Sequence, residues 1–149
     1  MRIVIGSDHG GFEAKEKAKK FLQGMGHEVT DFGCYSTAAI DYPDIAQLVG
    51  EAVAAGEFER SVLFDGFGGA VALAANKIPG VRAVAAYNSV SARFAMEHDD
   101  ANVLCLGGKT HGELAIQEIL TVFFTARFGG ERNERRLAKI AAIEAKYSR

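Results

Sequence analysis

Five short runs rich in β-branched residues, RIVIGS (2–7), HEVTDFG (27–33), SVLFD (61–65), VRAVAAY (81–87) and NVLCLGG (102–108), are separated by longer amphipathic or alanine-rich stretches. That alternation leaves few folds open. Strands that recur after a helix return in the same direction, so the pattern predicts an α/β chain with a five-stranded parallel sheet covered on both faces. The runs IVI, VLF and VLCL read as strands buried on both sides. Helices are expected over 12–25, 44–56, 70–77, 89–98, 113–128 and 132–149, and the length of 149 residues fits one domain spanning 1–149.

In the first helix Phe12, Ala14, Ala18, Phe21, Leu22 and Met25 follow helical spacing, while Lys15, Glu16, Lys19 and Lys20 are expected to form its solvated face. Gly24 and Gly26 can end it, and Pro79-Gly80 marks the turn before the fourth strand. The last helix carries Leu137, Ile140, Ala141 and Ile143 as an apolar stripe after the sheet is complete. A neighbouring subunit is its expected cover.

Seventeen basic against nineteen acidic residues leave a formal charge of −2, so no overall basic field draws the chain to nucleic acid or anionic lipid. Nowhere do about 18 uncharged apolar residues follow one another, and the N-terminal apolar run is too short for a secretory signal. The reading is cytoplasmic, with no membrane partner. Cys34 and Cys105 are two thiols in a chain able to hold a core unaided, so both are expected reduced and structural. Cys105 lies within an apolar strand, and Cys34 follows the second strand, where it could approach the rim.

Ligands of an open parallel sheet bind beyond the carboxyl ends of its strands, where helix N-termini present free N–H groups. Ser7, Asp8, His9, Gly10 and Gly11 follow the first strand; Asp65, Gly66, Phe67, Gly68 and Gly69 follow the third; Gly107, Gly108, Lys109, Thr110 and His111 follow the fifth. Any one of these could be a cap or a turn. Three such loops on one rim, with an adjacent Asp-His pair, point to a site. GFGG lacks the Gly-Lys-Ser/Thr ending of a nucleotide phosphate loop, and GSDHGG is no dinucleotide fingerprint, so no cofactor is expected. His98 with Asp8, His9 and Asp99 offers suitable ligand types without a tight HxxxH-type spacing. No metal is expected either.

SDHGGF, DYP (41–43), a glycine loop ending in AANK (74–77), GVRA, EHDDANVLCLGGK and GGERNERRLAKI occur in order over practically the whole chain. Together they make the chain resemble the ribose-5-phosphate isomerase B family, which also contains the galactose-6-phosphate isomerase subunits. The resemblance implies a three-layer Rossmann-like fold, a homodimer or tetramer with shared active sites, and a C-terminal helix packed on the partner. It also implies metal-independent interconversion of an aldose phosphate and a ketose phosphate through an enediolate. Carried over by position, it gives Asp65, His98 and Asp8 as catalytic positions, with His98 supplied by the partner to open the sugar ring. His9, Tyr42, Asp99 and the loop Gly66, Phe67, Gly68, Gly69 and Ala70 would meet the substrate, the loop offering backbone amides. His9, Lys109, Arg132 and Arg136 would bind phosphate, the two arginines four apart on one helix face.

The chain departs from the family pattern at several of these places. Asp65 stands where many members have a cysteine base, and Val71 where others place a glutamate. Phe67 replaces a small hydroxyl residue, Asp99 an asparagine, and Asn133 a histidine. Asp65 is therefore the candidate base. An acid there also resembles the A-type galactose-6-phosphate isomerase subunit, which works beside a cysteine-bearing partner, so the alternative is a non-catalytic phosphosugar-binding chain or the A-type partner subunit of such a heteromer.

Overall fold

The computed structural model describes residues 1–148. Five strands, β1 (Arg2–Ser7), β2 (Glu28–Asp31), β3 (Arg60–Asp65), β4 (Ala83–Ala85) and β5 (Val103–Gly107), alternate with helices α1 (Phe12–Gly24), α2 (Tyr42–Ala54), α3 (Gly69–Ala75), α4 (Ser89–Glu97), α5 (Glu113–Thr125) and α6 (Arg132–Tyr147). Each expected strand and helix is present. β4 is only three residues long, because at the sheet edge it has one neighbour, whereas the run 81–87 looked longer. Arg149, included in the expected last helix, lies outside the described residues.

All four strand pairings are parallel, in the order β2-β1-β3-β5-β4. The chain steps outward from β1 to β2, then crosses back to β3 on the other side. The loops after β1 and β3 therefore diverge, which makes the crevice between them the switch point where an open α/β sheet binds ligands.

Side chains of successive strand residues point to opposite faces, and both faces are buried. Ile3, Ile5, Val62, Phe64, Leu104 and Leu106 pack with α1, α4 and α5 through Leu22, Met96, Ile119 and Phe123. Val4, Leu63, Val103 and Cys105 pack on the other side with α2 and α3 through Ala46, Val49, Val71 and Ala75. Three layers result. Among the described residues no helix is long and apolar enough to cross a membrane.

α6 belongs to neither layer and buries no residue. It crosses beside the β4 edge, where Leu137, Ile140, Ile143 and Tyr147 face Pro79, Val81 and Val84 across a groove of about 790 Å³. Ile143 remains 61% exposed, so the apolar stripe is largely uncovered.

The solvated face expected of α1 needs one correction. Lys15 is fully buried. Its Nζ donates to both Asp31 carboxylate oxygens at 2.8 Å and to the Cys34 carbonyl at 2.6 Å. A lysine stem is apolar and its ammonium can be internalised when paired, so local spacing alone placed it on the wrong side. Lys19 shares the same carboxylate at 2.8 Å while staying nearer the surface. Burial pushes the Asp31 carboxyl upward, but hydrogen bonds from Lys15 and Lys19 outweigh that and hold it below the ordinary range.

Candidate active site

The loops after β1, β3 and β5 meet at one rim because their glycines permit backbone-to-backbone approach. A Cβ on Gly108 would lie 2.7 Å from the Gly10 carbonyl oxygen, and one on Gly10 would lie 3.5 Å from the Gly66 amide nitrogen. Backbone hydrogen bonds fasten the three: Asp8 N–H donates to Phe64 O at 3.2 Å, Gly108 N–H to Asp65 O at 2.8 Å and Lys109 N–H to Gly66 O at 2.9 Å. Gly68, with φ of 88°, occupies the left-handed region and turns the chain directly into α3.

Asp65 is 2% exposed, at the end of β3. Its Oδ1 accepts from the Phe67 amide at 3.1 Å and from the Gly68 amide. Oδ2 accepts no hydrogen bond among the described residues. The carboxylate thus folds its own loop with one oxygen and leaves the other open. Phe67 and Gly68 have given their N–H groups to Asp65, and the first-turn amides of α3, from Gly69 and Ala70, lack intrahelical acceptors.

Asp8 is 8% exposed and caps a short 3₁₀ turn (His9–Gly11), its Oδ1 accepting from Gly11 N–H at 3.1 Å. His9 is exposed beside it, and its Nδ1 accepts the Ile40 amide at 3.1 Å. Tyr42 opens α2 shortly after, half-buried against the α2/α3 side of the core. Lys109 is exposed, with its stem over Gly66. Phe67 is 50% exposed, and its ring lies against Gly69. The rim also holds a pair that sequence reading missed in part: Tyr87 donates its hydroxyl to Phe67 O at 3.0 Å and stacks on His111 with centroids 5.3 Å apart. The sequence reading places Tyr87 inside the expected strand 81–87, and β4 ends at Ala85.

Four expected site residues lie elsewhere. α4 runs from the carboxyl end of β4 back to the amino end of β5, so His98 and Asp99 finish at the opposite end of the sheet. The Asp100 carbonyl accepting Arg82 Nε at 2.8 Å anchors that turn before β5. His98 is exposed and stacks on Phe94, centroids 4.7 Å apart. The approach to α6 is tied there as well, through Gly129 N–H to Glu97 O at 2.8 Å, and Arg132 and Arg136 are exposed on that helix. A strand of five residues separates the two ends by roughly 15 Å. One chain therefore gathers Asp8, His9, Asp65 to Ala70 and Lys109, and holds His98, Asp99, Arg132 and Arg136 apart from them.

Neither thiol is a ready nucleophile. Burial, with a smaller contribution from the Asp65 charge, pushes the Cys105 thiol far above its ordinary pKa. Cys34 is buried at the back of the rim, donating to Ser36 O at 3.3 Å.

The model for the "Ribose/Galactose Isomerase" family matches residues 3–140, nearly the whole chain. The chain belongs to that family. Ribose-5-phosphate isomerase B of Escherichia coli is 37% identical over 143 residues, covering 96% of each chain. Among family structures, Clostridium thermocellum ribose-5-phosphate isomerase B is 44% identical with a TM-score of 0.98, covering 99% of this chain and all of that one. The Mycoplasma genitalium ribose-5-phosphate isomerase B structure with bound ribulose-5-phosphate is 36% identical, with a TM-score of 0.93 over 99% of this chain and 97% of that one.

Proposed function

We propose that the chain interconverts a phosphorylated aldose and ketose, of the ribose 5-phosphate and ribulose 5-phosphate type, by proton transfer between C1 and C2. The observation that carries this reading is Asp65 at the switch-point rim, with one carboxylate oxygen unbonded and the first-turn amides of α3 close by. In the open-chain aldose the C1 carbonyl acidifies the C2 hydrogen. Asp65 Oδ2 takes that proton, and the electron pair left behind forms the C1–C2 double bond of an enediolate with its charge on O1. Transfer of the O2 proton to O1 and return of the first proton from Asp65 to C1 give the ketose. A positioned base of this kind contributes about 10²- to 10⁴-fold, and one oxyanion donor about 10²- to 10³-fold.

In this reading Gly66, Phe67, Gly68, Gly69 and Ala70 form the cradle, its free donors being the Gly69 and Ala70 amides, and no metal is required. Asp8 and Tyr42 flank the sugar. His9 and Lys109 meet the phosphate from the same chain. Since roughly 15 Å of sheet separates His98, Asp99, Arg132 and Arg136 from that rim, they serve the rim of a second copy. His98 opens the ring, Asp99 borders the sugar, and the two arginines complete a charge-assisted phosphate site. A homodimer or tetramer joined through the uncovered α6 stripe follows.

The test is a sugar-phosphate panel run on the purified chain in deuterated water and followed by NMR. Deuterium should enter the carbon alpha to the carbonyl of one substrate. Absence of uptake and turnover with every member would refute the reading. One observation favours a second reading, a subunit of a heteromeric isomerase: Asp65 Oδ1 already has a structural task in its own loop. That case requires sugar-phosphate binding without turnover until a cysteine-bearing relative is added.

A further inference from the structure

Lys15 is a fully buried ammonium that the proposed mechanism does not use. Its partners are unusual in what they join. Asp31 ends β2, and Cys34 lies just beyond it in the connection to α2. Residues 33 and 34 run alongside the last residue of β1: Ser7 N–H donates to Gly33 O at 2.7 Å, and Cys34 N–H donates to Ser7 O at 2.8 Å. The next two residues after Ser7 are Asp8 and His9. Lys15 Nζ therefore sits on the carbonyl of a residue whose own N–H fixes the exit of β1.

The same connection returns to the rim. Between Cys34 and Ile40 its residues are exposed, and its own hydrogen bonds are local: Tyr35 donates its hydroxyl to Asp31 O at 3.0 Å, Cys34 Sγ donates to Ser36 O at 3.3 Å and Ala38 N–H to Ser36 Oγ at 3.2 Å. It is fastened again where Ile40 N–H donates to His9 Nδ1. An amide nitrogen can only donate, so Nδ1 is the acceptor and the proton of the neutral ring resides on Nε2. The rings of Phe12 and Tyr35 close over the ammonium, 5.2 and 5.5 Å from Nζ, and exclude water from the junction.

We propose that Lys15 is a positioning residue: it clamps residues 31–34 against the end of β1 and thereby presets His9 as an Nε2–H donor at the rim. The consequence for binding rests on the reading of His9 as a phosphate ligand, while the clamp itself does not. Lys19 supplies the control, since it pairs with the same carboxylate but does not reach the Cys34 carbonyl.

The experiment reads the His9 imidazole by ¹⁵N–¹H NMR, together with KM and kcat for ribose 5-phosphate. Wild type, Lys15→Met, Lys15→Met/Asp31→Asn and Lys19→Met are compared. The double variant removes the carboxylate charge that Lys15→Met alone would leave facing a buried gap, and keeps an acceptor for Gly33 N–H. In both Lys15 variants that fold, the single Nε2–H tautomer should give way to a mixture. KM should rise roughly 10- to 100-fold, as for a misplaced ligand group, with kcat changed much less. Lys19→Met should keep the wild-type tautomer and KM. A folded double variant with the wild-type His9 spectrum overturns the proposal, and so does a Lys19→Met spectrum altered as much as the Lys15 one. A lost tautomer with unchanged affinity for inorganic phosphate and sugar phosphate upholds the clamp and overturns the role of His9 in binding.

Discussion

At the carboxyl ends of the strands Asp8 and Asp65 are buried and the loops are cross-linked by backbone hydrogen bonds, whereas at the amino ends His98, Asp99, Arg132 and Arg136 stand exposed. The first region is complete within one chain. The second carries exposed cations and an apolar stripe left largely uncovered, on a helix that buries no residue. The difference follows from where each region finds its partners. The rim loops are fastened to one another by backbone hydrogen bonds, and α6 has left both layers of the core. A phosphate dianion needs several charged donors, and two copies would bring the halves together.

The largest effect that could break this picture is at Asp65. Asp65→Asn keeps an oxygen to accept the Phe67 and Gly68 amides, so the loop should survive while turnover falls about 10²- to 10⁴-fold. Circular dichroism and the deuterium-uptake assay separate folding from chemistry, and wild-type turnover in this variant removes Asp65 as the base. Next comes the paired substitution Arg132→Ala/Arg136→Ala, on exposed positions. KM for sugar phosphate should rise roughly 10- to 100-fold, the scale of lost hydrogen bonds to a charged group, with the melting temperature unchanged. Mixing this variant with Asp65→Asn sharpens the comparison, because a site shared between copies must regain activity in the mixed oligomer. Failure to complement in verified mixed oligomers confines each site to one chain.

A smaller effect concerns stability rather than turnover. Asp31→Asn removes the carboxylate that accepts two of the buried Lys15 hydrogen bonds, with Glu16 Oε1 at 3.2 Å as the anion that stays, and should cost about 3 kcal/mol at neutral pH. The Asp31 carboxyl is held below its ordinary value of 3.8, so its contribution is complete above that value and is lost as pH falls through the lowered one. Urea unfolding of wild type and variant should therefore converge in acid, and curves that stay parallel across that range refute the linkage. The smallest effect is at Cys105, whose thiol lies in the core with its pKa pushed far up. It should resist alkylation until the chain unfolds, and reaction at the native-state rate of an exposed thiol contradicts its placement.

Much of this was legible before any coordinates. Runs such as IVI and VLF announce strands buried on both faces, and turn residues after the first, third and fifth of them marked the rim correctly. Lys15 was misread because helical spacing reports only which residues share a face with one another. Its true environment comes from Asp31 and Cys34, which lie 16 and 19 positions further along. Asp65 was found as an acid facing the glycine loop, but its division of labour, one oxygen bound and one open, depends on how Phe67 and Gly68 turn. Tyr87 closed the run expected as the fourth strand, and only the shortening of β4 to Ala83–Ala85 places it in the loop at the rim.

By itself the sequence determined the element types, their alternation and the chemistry available at each strand end, because hydrophobic period and turn residues act over neighbouring positions. Only the tertiary structure decided the strand order β2-β1-β3-β5-β4, the burial of Lys15, and the shortening of β4 that leaves Tyr87 at the rim. Those outcomes depend on contacts between residues far apart in the chain, whose energies are settled when the layers pack and not before.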